Sequence, residues 1–141
     1  MAKDEPDLRS ELECFPVIDP GVEVLGDRIL VQLRREKNTS KGGIILVDET
    51  RQTLRFNETV AKVLQIGPLA YKSPDDLTPW VEGPWCQVGD LVRTIKYGGD
   101  RFVVQPDDEG APVVFITIQA REVISKIKSF EFAQKMKAFV D

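Results

Sequence analysis

The sequence predicts an all-β domain built as a small barrel or sandwich. Short runs rich in β-branched and aromatic residues recur along the chain, and clusters of Gly, Pro and Asp separate them. Residues 106–110, with the sequence Pro-Asp-Asp-Glu-Gly, form one such cluster. Many short strands divided by turn signals are typical of small barrels and sandwiches. The 141 residues show no internal repeat and suit one domain with a modest core.

The strands are predicted in order from the alternation of residue types. In the first, Ile29 to Arg34, we expect one well-buried face, because apolar residues recur at every second position. The others are predicted at roughly 59–66, 91–95, 101–104 and 113–118. Gly67-Pro68 ends the second strand, because proline cannot donate to a β-ladder. Gly89-Asp90 predicts a turn, since Gly tolerates positive φ and Asp bonds to nearby backbone.

Both ends of the chain differ from this pattern. Met1 to Glu13 is acidic and poor in apolar residues, so we expect a frayed tail within an N-terminal extension covering residues 1–21. From Arg121 to Asp141, apolar residues and lysines recur at spacings near the helical period. This pattern predicts a short amphipathic helix, assigned to a C-terminal extension at 128–141. A solvated lysine face is favoured there over contact with a membrane.

The composition excludes several classes of function. With 19 basic and 23 acidic residues, the chain has a formal charge of -4 and offers no basic face to nucleic acid. Histidine is absent, which removes the usual general base and the commonest zinc ligand. Two cysteines are too few for a disulfide framework or a cysteine-rich metal site. We therefore expect no catalysis, metal or nucleic-acid partner and, since no signal peptide or spanning helix is recognised, a cytoplasmic protein.

A long segment from Arg34 to Glu58 separates the first two predicted strands. Connections of this length are usually functional or disordered. The segment carries an unusual run: two glycines followed by an aliphatic triplet, in the order Gly42, Gly43, Ile44, Ile45 and Leu46.

Taken alone, this run is also compatible with a β-hairpin, in which Lys41 to Gly43 form the turn and Ile44 to Val47 form a buried strand. Two observations weaken that interpretation. The preceding residues, Arg34 to Ser40, offer no matching apolar run to pair with, and polar residues 48–52 follow. An exposed loop that presents its aliphatic triplet to a partner is therefore favoured.

Several short motifs together resemble the GroES-type co-chaperonin family. In chain order they are G-D-R-I-L-V from Gly26, G-G-I-I-L from Gly42, V-x-x-I-G ending at Gly67, V-G-D-x-V from Val88 and Y-x-G from Tyr97. The resemblance extends from about Gly26 to Ile127. It implies a GroES-like β-barrel over residues 22–127, with a mobile loop at about 34–58 and a roof region at about 68–84. The roof region is proline-rich and lacks strand alternation, so we do not expect a regular hairpin there.

The resemblance also implies a function. Members of the family form a ring that caps an ATP-bound chaperonin over a folding client protein, and the resemblance implies a heptamer here as in the family. The chaperonin-binding residues would be those of the glycine and aliphatic run, namely Gly42, Gly43, Ile44, Ile45 and Leu46. They would dock on the chaperonin's apical domains. ATP would be bound by the chaperonin, so this chain needs no cofactor.

The tract from Gly83 to Cys86, with the sequence G-P-W-C, resembles bacteriophage-encoded members of the same family. The partner chaperonin would then be either the host's or one encoded by the phage. For Trp85 and Cys86 themselves, packing is favoured over a chemical role.

Two other classes of protein were weighed. A structural or assembly protein of a virus particle could use a similar barrel without binding any chaperonin. The same barrel also occurs in medium-chain alcohol dehydrogenases. Those enzymes need catalytic-zinc ligands, commonly including histidine, and a separate cofactor domain, neither of which fits in this chain.

Overall fold

Antiparallel strands dominate the computed structural model, which describes residues 8–35, 58–105 and 112–136. Within those ranges the strands are β1 Arg28–Leu33, β2 Val60–Ile66, β3 Leu91–Thr94, β4 Asp100–Val104, β5 Val113–Gln119 and β6 Val123–Lys126. They form one six-stranded sheet with the order β4-β5-β1-β2-β3-β6. The helices are α1 Glu11–Cys14 and α2 Phe130–Lys135, and a 3₁₀ turn, Ala120–Glu122, joins β5 to β6. The prediction of a small all-β fold is confirmed.

The main core lies against one face of this sheet. Side chains from β1, β2, β3, β5 and β6 meet in a single buried cluster. The strand residues of that cluster are Ile29, Val31, Leu33, Ala61, Val63, Val92, Val114, Ile116, Ile118 and Val123. Because five strands of one sheet reach the same cluster, the sheet curls around it as in a small barrel.

Strand β1 departs from the prediction of one buried face, since every residue from Ile29 to Leu33 is buried. The N-terminal extension covers the second face. Leu30 packs in a separate cluster with Val24 and Phe115, and Gln32 donates from Nε2 to the carbonyl oxygen of Pro16 at 2.9 Å. The pattern within β1 cannot reveal this cover, which comes from residues that are distant along the chain.

From residue 8 onwards, the N-terminal extension is ordered where a frayed tail was expected. Helix α1 begins after Ser10, whose hydroxyl accepts from the backbone N–H of Glu13, while the Glu13 carboxylate accepts from the N–H of Ser10. This reciprocal capping box satisfies backbone donors that a short helix leaves unpaired. Cys14 and Phe15 are then buried, with 1% and 2% of their surface exposed. The acidic residues at 11 and 13 therefore serve a helix start.

The C-terminal part contains a strand before its helix. Residues 123–126, for which no strand was predicted, lie within the predicted barrel range of 22–127, form β6 and pair with β3. The helix itself is confined to Phe130–Lys135, with Ser129 as its N-cap. The prediction of a short C-terminal helix is confirmed, and the helix begins two residues after the predicted start at residue 128. Within the described residues, no helix is long and apolar enough to cross a membrane.

Two glycines hold tight backbone geometry next to β2 and β3. A side chain at Gly67 would lie 2.3 Å from the carbonyl oxygen of Gly26, so only glycine permits this approach. Gly89 has a φ of +96°, and Asp90 accepts from the N–H of Gln87 at 2.9 Å. The turn predicted at Gly89-Asp90 is confirmed.

The region from 68 to 84 folds over the sheet without a regular hairpin. Its described residues form turns and one isolated bridge, between Lys72 and Pro79. Three aromatic rings hold it down, with centroids of Tyr71 and Trp80 5.4 Å apart and those of Trp80 and Trp85 5.1 Å apart. Contacts between aromatic rings are stabilising. Here they hold the irregular backbone of this region in place where strand pairing is absent.

The Tyr71 side chain, one of these three rings, is buried. It donates to the carbonyl oxygen of Ala120 at 2.9 Å and lies 3.4 Å from the sulfur of Cys86. Burial is the main cause that raises the pKa of Tyr71 far above its ordinary value of 10.0, and burial also raises the pKa of the Cys86 thiol above 9.0. Both groups stay neutral in the folded protein at pH values where the unfolded chain loses their protons.

We expect the free energy of unfolding to fall as pH rises above about 9, because both folded pKa values lie above the unfolded ones. Tyr71→Phe should cost about 1 kcal/mol at pH 7 through the lost hydrogen bond to Ala120. This deficit should shrink above pH 10, because the variant has no phenol to ionise. Urea denaturation from pH 7 to 11 checks this, and a deficit that is constant over that range would refute it.

Candidate functional site

The segment that the sequence marks for partner binding leaves the sheet at the end of β1 and returns at the start of β2. Leu33 pairs with Ala61, and the backbone N–H of Arg34 donates to the carbonyl oxygen of Val60 at 2.9 Å. The predicted chaperonin-binding residues, Gly42, Gly43, Ile44, Ile45 and Leu46, lie outside the described residues. The structure describes the two ends of this segment, at residues 34–35 and 58–60.

A buried ion pair joins those two ends. The Arg34 guanidinium meets the Glu58 carboxylate through Nε to Oε1 at 2.5 Å and Nη2 to Oε2 at 3.2 Å. Only 7% of Arg34 and 6% of Glu58 are exposed. A planar guanidinium bound through two parallel hydrogen bonds has one preferred orientation. The ion pair therefore fixes the relative orientation of the two side chains as well as pairing their charges.

Further hydrogen bonds satisfy both partners of this pair. Nη1 of Arg34 donates to the carbonyl oxygen of Ala133 at 2.8 Å. Oε2 of Glu58 accepts from the backbone N–H groups of Thr59 at 3.0 Å and of Val60 at 3.3 Å. Burying two charges is costly unless they are paired and hydrogen-bonded in this way. The ends of the segment are therefore tied to each other and to helix α2.

The terminal extensions pack together at the same place. A second cluster, here called the terminal cluster, combines both extensions with β2 and β3 residues. Its members are Cys14, Phe15, Val60, Leu91, Ile127 and Ala133, with Phe130 and Met136 partly buried against them. The N–H of Arg35 donates to the carbonyl oxygen of Cys14 at 2.7 Å. The outgoing end of the segment thus contacts both terminal extensions, and Val60, which follows the returning end, packs in the terminal cluster.

The described residues contain neither a cluster of metal ligands nor an exposed thiol. Among residues 8–35, 58–105 and 112–136, no group of three His, Cys, Asp or Glu side chains is placed to hold a metal ion. Cys14 and Cys86 are both buried, and the raised pKa of the Cys86 thiol keeps it protonated near neutral pH. A protonated thiol is a poor nucleophile.

A groove runs beside the outer strand of the sheet. It has a volume of about 430 Å³ and lies between the segment Glu82 to Trp85 and strand β6. Within the described sheet, β6 pairs only with β3, so its other edge has no strand partner. Ile124 on β6 is 63% exposed, and the indole N–H of Trp85 is buried without a hydrogen-bond partner in the part of the chain described.

Sequence reasoning missed the residues that hold the ends of the segment. Arg34 and Glu58 were taken only as the bounds of a loop, and no role was predicted for Ala133. One signal was available. Arg34 continues the alternation of β1, and because successive side chains of a strand point to opposite faces, this alternation determines the face of the sheet on which Arg34 lies. A charged residue in that phase, with an acidic residue at the opposite end of the loop, is compatible with a closing ion pair.

Comparison with protein families places this geometry in context. The model of the chaperonin 10 Kd subunit family matches residues 21–127, which covers most of the chain. The match includes β1 to β6 and both ends of the segment described above. Helices α1 and α2 lie outside it.

Curated relatives agree with the family match. The chain is 33% identical to the co-chaperonin GroES of Chlamydia pneumoniae over 107 residues, which cover 76% of this chain and 91% of the relative. It is 32% identical to that of Chlamydia muridarum (strain MoPn / Nigg) with the same coverage. It is 31% identical to that of Chlamydia felis (strain Fe/C-56), with 74% of this chain and 88% of the relative covered. The chain therefore belongs to the chaperonin 10 Kd subunit family, the GroES-type co-chaperonins.

Proposed function

We propose that this protein is a co-chaperonin whose ring caps an ATP-bound chaperonin and encloses a folding client protein. The observation that carries the proposal is the family match over residues 21–127, which spans the whole sheet and both anchored ends of the long segment. The chain itself performs no catalysis and binds no cofactor. ATP is bound and hydrolysed by the chaperonin.

The contact with the chaperonin is assigned to the run Gly42 to Leu46. Ile44, Ile45 and Leu46 dock on the apical domains, and the two glycines allow the backbone to bend towards them. Burying each aliphatic side chain contributes about 1.5–3 kcal/mol. Ordering each residue of the loop costs roughly 1–2 kcal/mol of backbone entropy. A single loop therefore binds weakly and is released easily.

Several loops on one ring overcome this weakness. Once one loop is bound, each further contact becomes intramolecular and benefits from a high effective concentration. Assembly into a ring, of seven copies as in the family, is thus part of the binding mechanism. A cap held by many weak contacts can bind firmly in one nucleotide state and leave in the next.

The free edge of β6 offers a surface for assembly into the ring. An unpaired strand edge beside exposed apolar side chains tends to recruit another chain. The groove between Glu82 and β6 and the exposed side chain of Ile124 supply apolar area there. Contacts of one kind repeated head to tail close into a ring when the rotation between copies permits it.

The protein is further proposed to act in a bacterial cytoplasm, alongside the host's chaperonin or one encoded by a bacteriophage. The G-P-W-C tract from Gly83 to Cys86 supports a phage source. Trp85 packs against Tyr71 and Trp80, and Cys86 contacts the Tyr71 hydroxyl, so these two residues of the tract have a structural role for either source.

Sedimentation of the purified protein with a bacterial chaperonin tests the proposal. In solution, we expect the protein to have a mass that is a multiple of the 15.9 kDa chain mass. We expect it to co-sediment with the chaperonin in the presence of ATP but not in its absence. A monomer, or a ring that binds no host or phage chaperonin in any nucleotide state, would contradict the proposal.

A further inference from the structure

The two terminal extensions meet the base of the proposed chaperonin-binding loop from opposite ends of the chain. Helix α1 precedes the family match at residue 21, and helix α2 follows it at residue 127. Neither helix is needed to complete the sheet, whose six strands pair without them. Their shared packing in the terminal cluster therefore calls for a role outside the barrel itself.

Hydrogen bonds connect both extensions to the outgoing end of the loop and, through the Arg34 side chain, to its returning end. On the outgoing side, the carbonyl oxygen of Cys14 accepts from the N–H of Arg35 at 2.7 Å. On the returning side, the carbonyl oxygen of Ala133 binds the Arg34 guanidinium, which in turn holds the carboxylate of Glu58. These contacts therefore lie at the base of the loop, where the described residues stop at Arg35 and resume at Glu58.

The extensions are also tied to each other and to β2. The side chain of Gln134 in α2 donates to the carbonyl oxygen of Arg9 at 3.4 Å. The Lys62 ammonium on β2 pairs with the Glu11 carboxylate in α1 at 3.0 Å. Such links are individually weak near the surface. Together with the buried terminal cluster, they join α1, α2 and β2 into one packed unit.

We infer that α1 and α2 form a brace that positions the chaperonin-binding loop by fixing both of its ends, so that Arg34, Ala133 and the terminal cluster set the affinity for the chaperonin without touching it. This inference rests on the proposed function. Fixing the ends of a loop reduces the conformations that its residues explore in the free ring. Binding then loses less entropy, and affinity rises without any new contact.

Phe130→Ser is the first test variant, because its side chain is partly buried against the terminal cluster while Arg34 and Glu58 are left intact. Phe132→Ser is the matched control, since Phe132 lies on the same helix with 49% of its surface exposed. Met136→Ser, also partly buried against the cluster, is a second test variant in case Phe130→Ser fails to fold. Mass measurement must first show that all variants assemble as the intact protein does.

Hydrogen–deuterium exchange reports on the brace without any chaperonin. We expect faster exchange at the amides of Arg35 and Thr59 in Phe130→Ser, and unchanged exchange at Ile116 in β5, which reports on the barrel. Phe132→Ser should leave all three amides as in the intact protein. Unchanged exchange at residues 35 and 59 in both test variants would show that the cluster does not hold the loop ends, and would overturn the inference.

Affinity for the chaperonin, measured with ATP, then tests positioning. If one further residue per loop must be ordered on binding, affinity falls on the order of tenfold per loop, and more across a ring. Phe132→Ser should bind as the intact protein does. If the intact protein binds and the test variants bind equally well despite faster exchange, the brace is structural only and the inference falls alone. If the intact protein binds no chaperonin, the proposed function falls, and the inference falls with it.

Discussion

Replacing Ile44, Ile45 and Leu46 together by Ser should abolish detectable binding to the chaperonin. Each aliphatic side chain contributes about 1.5–3 kcal/mol when it is buried on the apical domain. The loss is repeated at every subunit of the ring, so the avidity that sustains the complex disappears as well. Binding is measured by co-sedimentation in ATP, after the mass of the variant ring has been confirmed.

A matched control separates loss of the anchors from loss of apolar surface in general. Leu8, Val17 and Leu25 are aliphatic residues outside helices α1 and α2, with 85%, 89% and 68% of their surface exposed. Their joint replacement by Ser should leave binding unchanged. If the Ile44, Ile45 and Leu46 variant binds as tightly as this control, the assignment of the anchors is wrong, and a hairpin strand at Ile44 to Val47 regains support.

Glu58→Ala should destabilise the protein by about 3–5 kcal/mol, because it leaves the buried Arg34 guanidinium without its counter-charge. The hydrogen bonds that the Glu58 carboxylate accepts from Thr59 and Val60 are lost as well. Urea denaturation at a fixed protein concentration measures the change, since oligomerisation makes apparent stability depend on concentration.

The double variant Arg34→Met with Glu58→Leu distinguishes the cost of an unpaired charge from the loss of the pair. Replacing a buried pair by apolar residues removes both charges at once and is often far less damaging than removing one. We therefore expect the double variant to be more stable than Glu58→Ala. Glu11→Ala, which breaks the partly exposed pair with Lys62, should cost no more than about 1 kcal/mol. Equal losses in Glu58→Ala and Glu11→Ala would show that burial of the Arg34 pair does not matter.

The strands could be predicted because their signals are local. The strand at Ile29 to Leu33 and the turn at Gly89-Asp90 were predicted from neighbouring residues alone, and the structure contains both, although both faces of the strand are buried. Strand β6 was not predicted, because the apolar residues from Arg121 onwards recur at spacings near the helical period. Val123 and Ile127 are four residues apart, and a short apolar pattern at that spacing does not distinguish a helix turn from a strand followed by a bend.

The contacts at the base of the loop could not be predicted, because they join residues that are far apart in sequence. The Arg34 side chain reaches Glu58 and Ala133 across separations of 24 and 99 residues. No local pattern encodes such a meeting. The ordered conformation of the N-terminal extension from residue 8 onwards also depends on contacts that are distant in sequence. Phe15 is buried only because β2, β3 and α2 supply its surroundings. The run Gly42 to Leu46 was identified by its composition and by family resemblance, and its role stays a prediction.

Protection of a client protein inside the capped chaperonin tests the central claim most directly. A non-native client is bound to the chaperonin, the protein is added with or without ATP, and a protease is then applied. We predict that the client is protected and refolds only when both ATP and the intact ring are present. A client that is digested equally with and without the ring would contradict the account, even if the two proteins bind each other.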